Sequence, residues 1–142
     1  MVGPPGCGES LLLDSLLRWM HGRKFSILLT KFSVPEEVFG PISLAALKED
    51  RFRRVTAGRL PEAHLAFIDE IWKASSAILN TLLRMLNEGV FENDGEFARV
   101  PLRLCVAPSN EWPAAETGKE LRALLDRFLF RETVRPIVTA VL

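Results

Sequence analysis

The sequence lacks the features that would place the protein outside a reducing cytosol or against a strongly charged partner. Its 142 residues include only two cysteines, Cys7 and Cys105, which lie far apart and without the spacing of metal ligands. Basic and acidic side chains balance at 18 each, which argues against a global field that would attract nucleic acid or an anionic membrane. No apolar run is long enough to span a bilayer, and the N-terminus lacks the basic segment of a signal peptide. We therefore predict a cytoplasmic protein with no membrane partner.

A glycine-rich segment at the N-terminus carries the first functional signal. Residues 3–10 read GPPGCGES, in which Gly3, Gly8 and Ser10 fit the phosphate-loop pattern G-x-x-x-x-G-K-[ST]. Such a loop wraps consecutive backbone N–H groups round phosphates at the N-terminus of a helix. The segment therefore predicts a site for nucleotide phosphates.

Glu9 stands where this pattern has its lysine. Two unit charges about 4 Å apart interact by roughly 4 kcal/mol at an effective dielectric near 20, so replacing attraction by repulsion disfavours the outer phosphates. The lysine also stabilises charge that develops during phosphoryl transfer, so turnover is expected to suffer more than binding. The sequence predicts weak Mg-ATP binding and little hydrolysis.

Apolar spacing and turn residues divide the chain into alternating strands and helices. The helices are predicted over 10–21, 43–49, 74–87 and 119–126, the strands over 25–30, 65–68, 102–107 and 128–134, and the hairpins over 51–59 and at a turn over 93–95. The first helix has Leu12, Leu16, Trp19 and Met20 on one face, and Gly89 ends the helix over 74–87. A turn at 33–35 closes the strand over 25–30. This alternation predicts one α/β domain with a mainly parallel sheet flanked by helices. A strand should also precede the phosphate loop, yet only Met1 and Val2 do so, and we expect most of that strand to lie outside this sequence.

Polar side chains follow two of the predicted buried strands. Asp69 and Glu70 end the apolar run Leu65–Ile68, at the sheet edge where such folds bind ligands. Asp69 is a candidate Mg²⁺ ligand and Glu70 a candidate general base for water. The alternative is a strand that simply ends in two solvated acids, which the upstream phosphate loop disfavours. Asn110 follows the second strand and either positions the attacking water or caps a turn.

Arg127 precedes the last predicted strand. It could reach the nucleotide of a neighbouring subunit as an arginine finger that neutralises transition-state charge. The alternative is an ion pair with Asp126 or Glu132, and Arg131 is a weaker competitor for the finger role.

Four segments in the same order resemble the MoxR family of AAA+ ATPases. They read FSVPEEVFGP over 32–41, GRLPEA over 58–63, FIDEIWKA over 67–74 and ILNTLL over 78–83. The resemblance is closest to the RavA branch of that family, in which Trp72 after the acidic pair and the segment over 32–41 have counterparts. The resemblance covers nearly the whole chain.

The resemblance implies a P-loop NTPase core of the AAA+ type, working as a homo-hexameric ring with ATP between subunits and remodelling protein clients like a chaperone. It assigns Mg²⁺ to Ser10 and Asp69, water activation to Glu70, nucleotide sensing to Asn110 and the finger to Arg127. Hairpins over 51–59 and 91–100 match family insertions that face the pore or a partner. The residues that it places round the nucleotide are Gly3, Pro4, Pro5, Gly6, Cys7, Gly8, Glu9, Ser10 and Leu11.

The sequence departs from the family pattern in three places. Glu9 replaces the lysine, the strand before the loop is missing, and the chain ends at Leu142 before the helical lid, so we expect 1–142 to be a partial AAA+ core domain. Two alternatives to an ATP-driven remodeller follow. One is a non-catalytic ring or interaction subunit. The other is a DNA-associated motor, since related AAA+ proteins load or move on DNA and Lys48 with residues 51–54 (RFRR) forms a basic cluster, for which a solvated hairpin face is the competing interpretation.

Overall fold

Three parallel strands form the centre of the structure. In this computed structural model, which describes residues 1–3, 15, 18–112 and 119–135, they are Lys24–Leu28, Leu65–Asp69 and Leu104–Val106, paired side by side in that order. The elements in chain order are β1 (Lys24–Leu28), α1 (Pro35–Phe39), α2 (Leu44–Leu47), β2 (Leu65–Asp69), α3 (Ser76–Glu88), β3 (Val90–Asn93), β4 (Glu96–Arg99), β5 (Leu104–Val106) and α4 (Lys119–Leu125), with 3₁₀ turns at Leu60–Glu62 and Ile71–Lys73. The prediction of an α/β fold with a parallel sheet flanked by helices is confirmed.

The N-terminal residues extend this sheet beyond β5. Val2 makes parallel bridges to Ser109 on one side and to Thr133 on the other. The backbone N–H of Val2 donates to Glu132 O at 2.8 Å, and the N–H of Ser109 donates to Met1 O at 3.0 Å. The N-terminus therefore lies between the end of β5 and the segment around Thr133, and delivers Gly3 to the carboxyl edge of the sheet.

The core lies between the sheet and α3. β2 is the central strand of the three, and its residues Leu65, Ala66 and Ile68 are buried, as its continuous apolar run predicts. α3 turns four apolar side chains toward the sheet, Ile78, Leu79, Leu82 and Met85. It ends at Gly89, whose φ of 65° gives the left-handed cap. α4 adds the fully buried Leu124. No helix in the described ranges is long and apolar enough to cross a membrane.

The hairpin β3–β4 is confirmed, but the hairpin predicted over 51–59 is wrong. Apart from a turn in which the N–H of Arg59 donates to Thr56 O at 2.9 Å, the bonds of that segment go to other parts of the chain. The N–H of Phe52 donates to Asp94 Oδ1 at 3.1 Å, and the N–H of Arg54 donates to Asn93 Oδ1 at 2.7 Å. Asn93 Nδ2 returns a bond to Arg54 O at 3.1 Å. The tip of β3–β4 thus satisfies the backbone of the 51–54 loop, which removes the need for a partner strand.

Other predictions differ in extent. The turn expected at 33–35 leads directly into α1, because proline suits the first helical position and Glu37 Oε2 accepts from the N–H of Val34 at 3.1 Å. The strand expected over 128–134 is reduced to the bridge at Thr133. The helix over 10–21 is described only at Ser15 and 18–20. Trp19, predicted on its apolar face, is 85% exposed, because no described element packs over it.

Gly40 is the position where backbone geometry most strongly requires glycine. Its φ is 104°, and a Cβ there would lie 2.0 Å from the carbonyl oxygen of Val55. We expect Gly40→Ala to lower the free energy of unfolding by more than about 2 kcal/mol, because the new methyl group clashes with backbone that cannot move independently.

A urea titration checks this prediction, with Gly58→Ala as the matched control. Gly58 also has a positive φ, 71°, but a Cβ there meets nothing within 4 Å. Its substitution should therefore cost only the left-handed backbone conformation, about 1 kcal/mol. Equal losses in the two variants would contradict the steric argument.

Candidate functional site

The carboxyl edge of the sheet brings the predicted loop and the acidic pair to one backbone segment, Pro108–Asn110. The N–H of Gly3 donates to Ser109 O at 3.1 Å, and the N–H of Glu70 donates to Pro108 O at 3.0 Å. Gly3 begins the predicted phosphate loop and Glu70 follows β2. Their common attachment to this segment places the start of the loop and the acidic pair side by side.

Glu70 is buried and conformationally restricted. It is only 4% exposed and adopts φ 55° and ψ 41°, a left-handed conformation unusual for a residue with a side chain. Its carboxylate accepts from the N–H of Asn110 at 3.2 Å and from Ser109 Oγ at 3.3 Å, and it forms an ion pair with Lys73 Nζ at 3.2 Å. Such backbone conformations cost about 1–3 kcal/mol and occur often at functional sites. Glu70 is therefore held firmly, as a general base requires.

Asp69, the last residue of β2, is partly buried beside Glu70. Burial raises the pKa of the Asp69 carboxyl above its ordinary value, and the charge of Glu70 acts in the same direction. A hydrogen bond from the N–H of Glu70 and the charge of Lys73 oppose the shift. A carboxylate at which burial outweighs its compensation favours a bound cation, and Mg²⁺ takes one or two carboxylates together with phosphate and water. Asp69 therefore fits the role of a Mg²⁺ ligand.

Gly3 is the only predicted nucleotide contact within the described part of the chain. It is buried, and a Cβ there would lie 2.6 Å from the carbonyl oxygen of Val134. Glycine therefore lets the chain pass between Ser109 and Val134 at the start of the loop. The other predicted contacts lie outside the described residues: Pro4, Pro5, Gly6, Cys7, Gly8, Glu9, Ser10 and Leu11. Within the described ranges, no group of three or more His, Cys, Asp or Glu is arranged to hold a metal ion.

Asn110 and Arg127 are both exposed. Asn110 bonds to Glu70 through its backbone N–H, and its side chain is left at the surface. Arg127 follows α4 and is exposed. The alternative ion pair with Asp126 does not form, because Asp126 Oδ1 pairs with Arg131 at 3.5 Å. Arg131 is therefore paired within its own subunit. Phe128, the residue after Arg127, packs edge-on against Trp72.

Two residues of the site were missed by sequence reasoning, Lys73 and Ser109. Ser109 is 2% exposed, and its hydroxyl reaches Glu70 across the sheet edge. A serine beside Asn110 reads as ordinary turn chemistry, so only the pairing of β2 with β5 reveals the contact. Lys73 had a local signal that could have been used, because a lysine three residues after a glutamate faces it within one turn of a helix.

Solved structures resemble this fold. A proposed ATPase from Cytophaga hutchinsonii matches with a TM-score of 0.68 at 18% identity, over 98% of this chain and 41% of that one. NtrX from Brucella abortus matches with a TM-score of 0.57 at 20% identity, over 94% of this chain and 31% of its own. The structure of NtrX in complex with ADP gives a TM-score of 0.53. The chain shares its fold with these structures.

The family follows from sequence. Residues 1–142 match the family described as the MoxR domain in the MoxR-vWA-beta-propeller ternary systems, and the chain belongs to the MoxR family. It is 43% identical over 137 residues to the uncharacterized proteins MJ0079 and MJ0812 of Methanocaldococcus jannaschii, covering 96% of this chain and 35% and 36% of theirs. Structural protein ORF618 of Acidianus two-tailed virus is 32% identical over 136 residues, 92% of this chain and 22% of its own. The chain thus spans about a third of the length of the first two relatives.

The raised pKa of Asp69 predicts a pH-dependent cost to stability. When a carboxyl has a higher pKa in the folded than in the unfolded state, its contribution to folding is lost as pH rises through the folded value. Asp69→Asn should therefore raise the free energy of unfolding at pH 7. The gain should vanish near pH 3, where the Asp69 carboxyl is protonated in both the folded and the unfolded state.

Urea unfolding at several pH values tests this. Asp50→Asn, at an exposed position, serves as the control and should change the free energy of unfolding by less than about 0.5 kcal/mol at pH 7. An Asp69→Asn variant that is less stable than the parent at pH 7 would show that other contacts of the carboxylate outweigh its burial.

Proposed function

We propose that the protein is a MoxR-type ATPase that binds Mg-ATP between the N-terminal loop and the acidic pair. The observation that carries this proposal is the shared attachment of Gly3 and Glu70 to the backbone of Pro108–Asn110. The family match and the likeness to NtrX, whose structure is known with ADP, support a nucleotide as the ligand. The proposed reaction converts ATP and water to ADP and phosphate in the cytoplasm.

The residues divide the chemistry between them. The backbone of the loop that begins at Gly3 binds the phosphates. Glu70 accepts the proton of the attacking water as the water oxygen bonds to the γ-phosphorus and the bond from that phosphorus to the departing ADP breaks. Asn110 orients that water. Mg²⁺, held by Asp69 and Ser10, would neutralise charge on the phosphates. Because the carboxylate of Glu70 is already held by two hydrogen bonds and an ion pair, little reorganisation is needed for it to act.

Glu9 is expected to slow hydrolysis by the proposed enzyme. It adds an anion where the loop pattern has a cation, which disfavours the transition state more than the bound nucleotide. We expect slow hydrolysis of Mg-ATP by the native protein and about 100-fold or more acceleration in a Glu9→Lys variant, since one stabilising group at a developing charge is typically worth that much. Steady-state phosphate release by the full-length protein measures both.

The same experiment separates the ATPase from its main alternative, a non-catalytic ring or interaction subunit, which Glu9 itself favours. Glu70→Gln in the Glu9→Lys background is the control and should abolish the gained activity. Continued inertness after Glu9→Lys would support the scaffold. Rapid hydrolysis by the native chain would contradict the role assigned to Glu9.

We further propose a homo-hexamer in which Arg127 acts as the finger on the neighbouring subunit's nucleotide. Its exposure, and the pairing of Asp126 with Arg131 instead, support this assignment. In the Glu9→Lys background, Arg127→Ala should lower turnover by about 10³-fold, and mixing it with Glu70→Gln subunits should restore part of the activity. The recovery arises at sites where an Arg127→Ala subunit, which keeps its own Glu70, lies next to a Glu70→Gln subunit that supplies Arg127.

Phosphate release from the mixture, measured against each variant alone, tests the assignment in trans. Arg131→Ala is the matched control and should keep most of the activity, because Arg131 is bound within its own subunit by Asp126 and by Phe128 O. If mixing restores nothing while a hexamer still forms, Arg127 does not act across the interface.

Chaperone-like remodelling of protein partners, in the manner of the RavA branch, is the proposed use of the ATP. The family description supports partners that carry vWA and beta-propeller domains. A DNA-associated motor is less favoured, because the basic cluster over 51–54 is neutralised within the subunit. Its ion pairs join Arg51 to Asp94 at 2.9 Å, Arg53 to Glu96 at 3.8 Å and Arg54 to Glu36 at 3.0 Å.

A further inference from the structure

The donors round Glu70 are distributed unequally between its two carboxylate oxygens. Oε2 accepts from Ser109 Oγ at 3.3 Å and forms an ion pair with Lys73 Nζ at 3.2 Å. Oε1 accepts only the backbone N–H of Asn110, at 3.2 Å, among the contacts described. An ionised carboxylate has about four acceptor sites, two on each oxygen. Oε2 therefore carries a hydrogen bond and a cation, whereas Oε1 carries one hydrogen bond and has a site open.

This distribution decides which oxygen can act as the base. Water has to reach an unoccupied lone pair to transfer its proton, and the open site lies on the oxygen that faces Asn110. The two partners of Oε2, Ser109 and Lys73, differ in how they are held. Ser109 is buried in the sheet edge, whereas the side chain of Lys73 is 41% exposed. Removing Lys73 would free a second site and leave the carboxylate less restricted in rotation.

Lys73 is placed by a short and well-bonded turn. Its N–H donates to Glu70 O at 2.9 Å, and the N–H of Ala74 donates to Ile71 O at 3.2 Å, which fixes the 3₁₀ turn after the left-handed Glu70. The ammonium therefore returns to the residue that begins the turn. Since the carboxylate it meets is only 6% exposed, this contact is less screened by water than a surface ion pair.

We propose that Lys73 is a positioning residue for Glu70, which occupies Oε2 so that Oε1, beside Asn110, receives the proton of the attacking water. The proposal rests on the ATPase function argued above. It concerns the orientation of the base, so it predicts an effect on turnover and little effect on nucleotide affinity. The positive charge beside Oε2 is needed, and a second basic side chain at this position should largely replace it.

The test compares Lys73→Met, Lys73→Arg and Lys48→Met in the full-length protein, in both the native and the Glu9→Lys backgrounds. Single-turnover hydrolysis of radiolabelled ATP gives the rate of the chemical step, and a fluorescent ATP analogue gives Kd. We expect Lys73→Met to lower the rate by about 10- to 100-fold, as for other supporting groups round a catalytic centre, with Kd changed by less than about threefold. Lys73→Arg should recover the rate to within about threefold, and the exposed Lys48→Met should match the parent.

Each outcome supports or overturns the proposal. A rate in Lys73→Met equal to or above that of the parent overturns it. So does an equal loss in Lys73→Met and Lys73→Arg accompanied by a lower Tm, since that pattern marks a purely structural contact. If the nucleotide binds but is not hydrolysed in either background, or does not bind at all, the proposed ATPase function fails and the role of Lys73 with it. Hydrolysis that is insensitive to Lys73 overturns the inference alone.

Discussion

The site depends on one stretch of backbone, the three residues that follow β5. Pro108 O and Ser109 O accept from the N–H groups of Glu70 and Gly3, and the N–H of Asn110 donates to the carboxylate of Glu70. β5 pairs with β2 on one side, and its continuation pairs with Val2 on the other. The segment therefore fixes the distance between the two halves of the site. A shift of this strand end would displace the loop and the acidic pair together.

The features that the sequence predicted correctly are those whose physical cause is local. A continuous apolar run such as Leu65–Ile68 is stable only between two neighbouring strands, so its burial and the position of the acidic pair at its end follow directly. The end of α3 at Gly89 and the turn at Asp94–Gly95 also follow from nearby residues, because each needs a left-handed backbone that glycine, and less easily aspartate, can adopt. The parallel sheet could be inferred from the alternation of these elements.

The features that were missed depend on partners far along the chain. The backbone of Arg54 bonds to Asn93, which lies 39 residues away, and this contact replaces the hairpin that alternation alone predicts for 51–59. Ser109 lies 39 residues from Glu70, and nothing near either residue marks their contact. In both cases the polar groups are satisfied by side chains that only the tertiary fold brings close. The sequence could therefore name Asp69 and Glu70 as a site, but not the contacts that orient them.

Asp69 and Glu70 differ in how the cost of burying their carboxylates is compensated. Glu70 is more deeply buried and conformationally strained, yet its carboxylate has two hydrogen bonds and an ion pair, so the folded chain compensates most of its cost by itself. Asp69 is less buried, but burial is the dominant influence on its pKa, and the backbone N–H of Glu70 and the charge of Lys73 oppose it only in part. A partly buried carboxylate with incomplete compensation is stabilised by a cation that arrives with the ligand. Under the proposed function, Glu70 would therefore be a base that is ready before the nucleotide binds, and Asp69 an acid whose charge becomes favourable only when Mg-ATP is present.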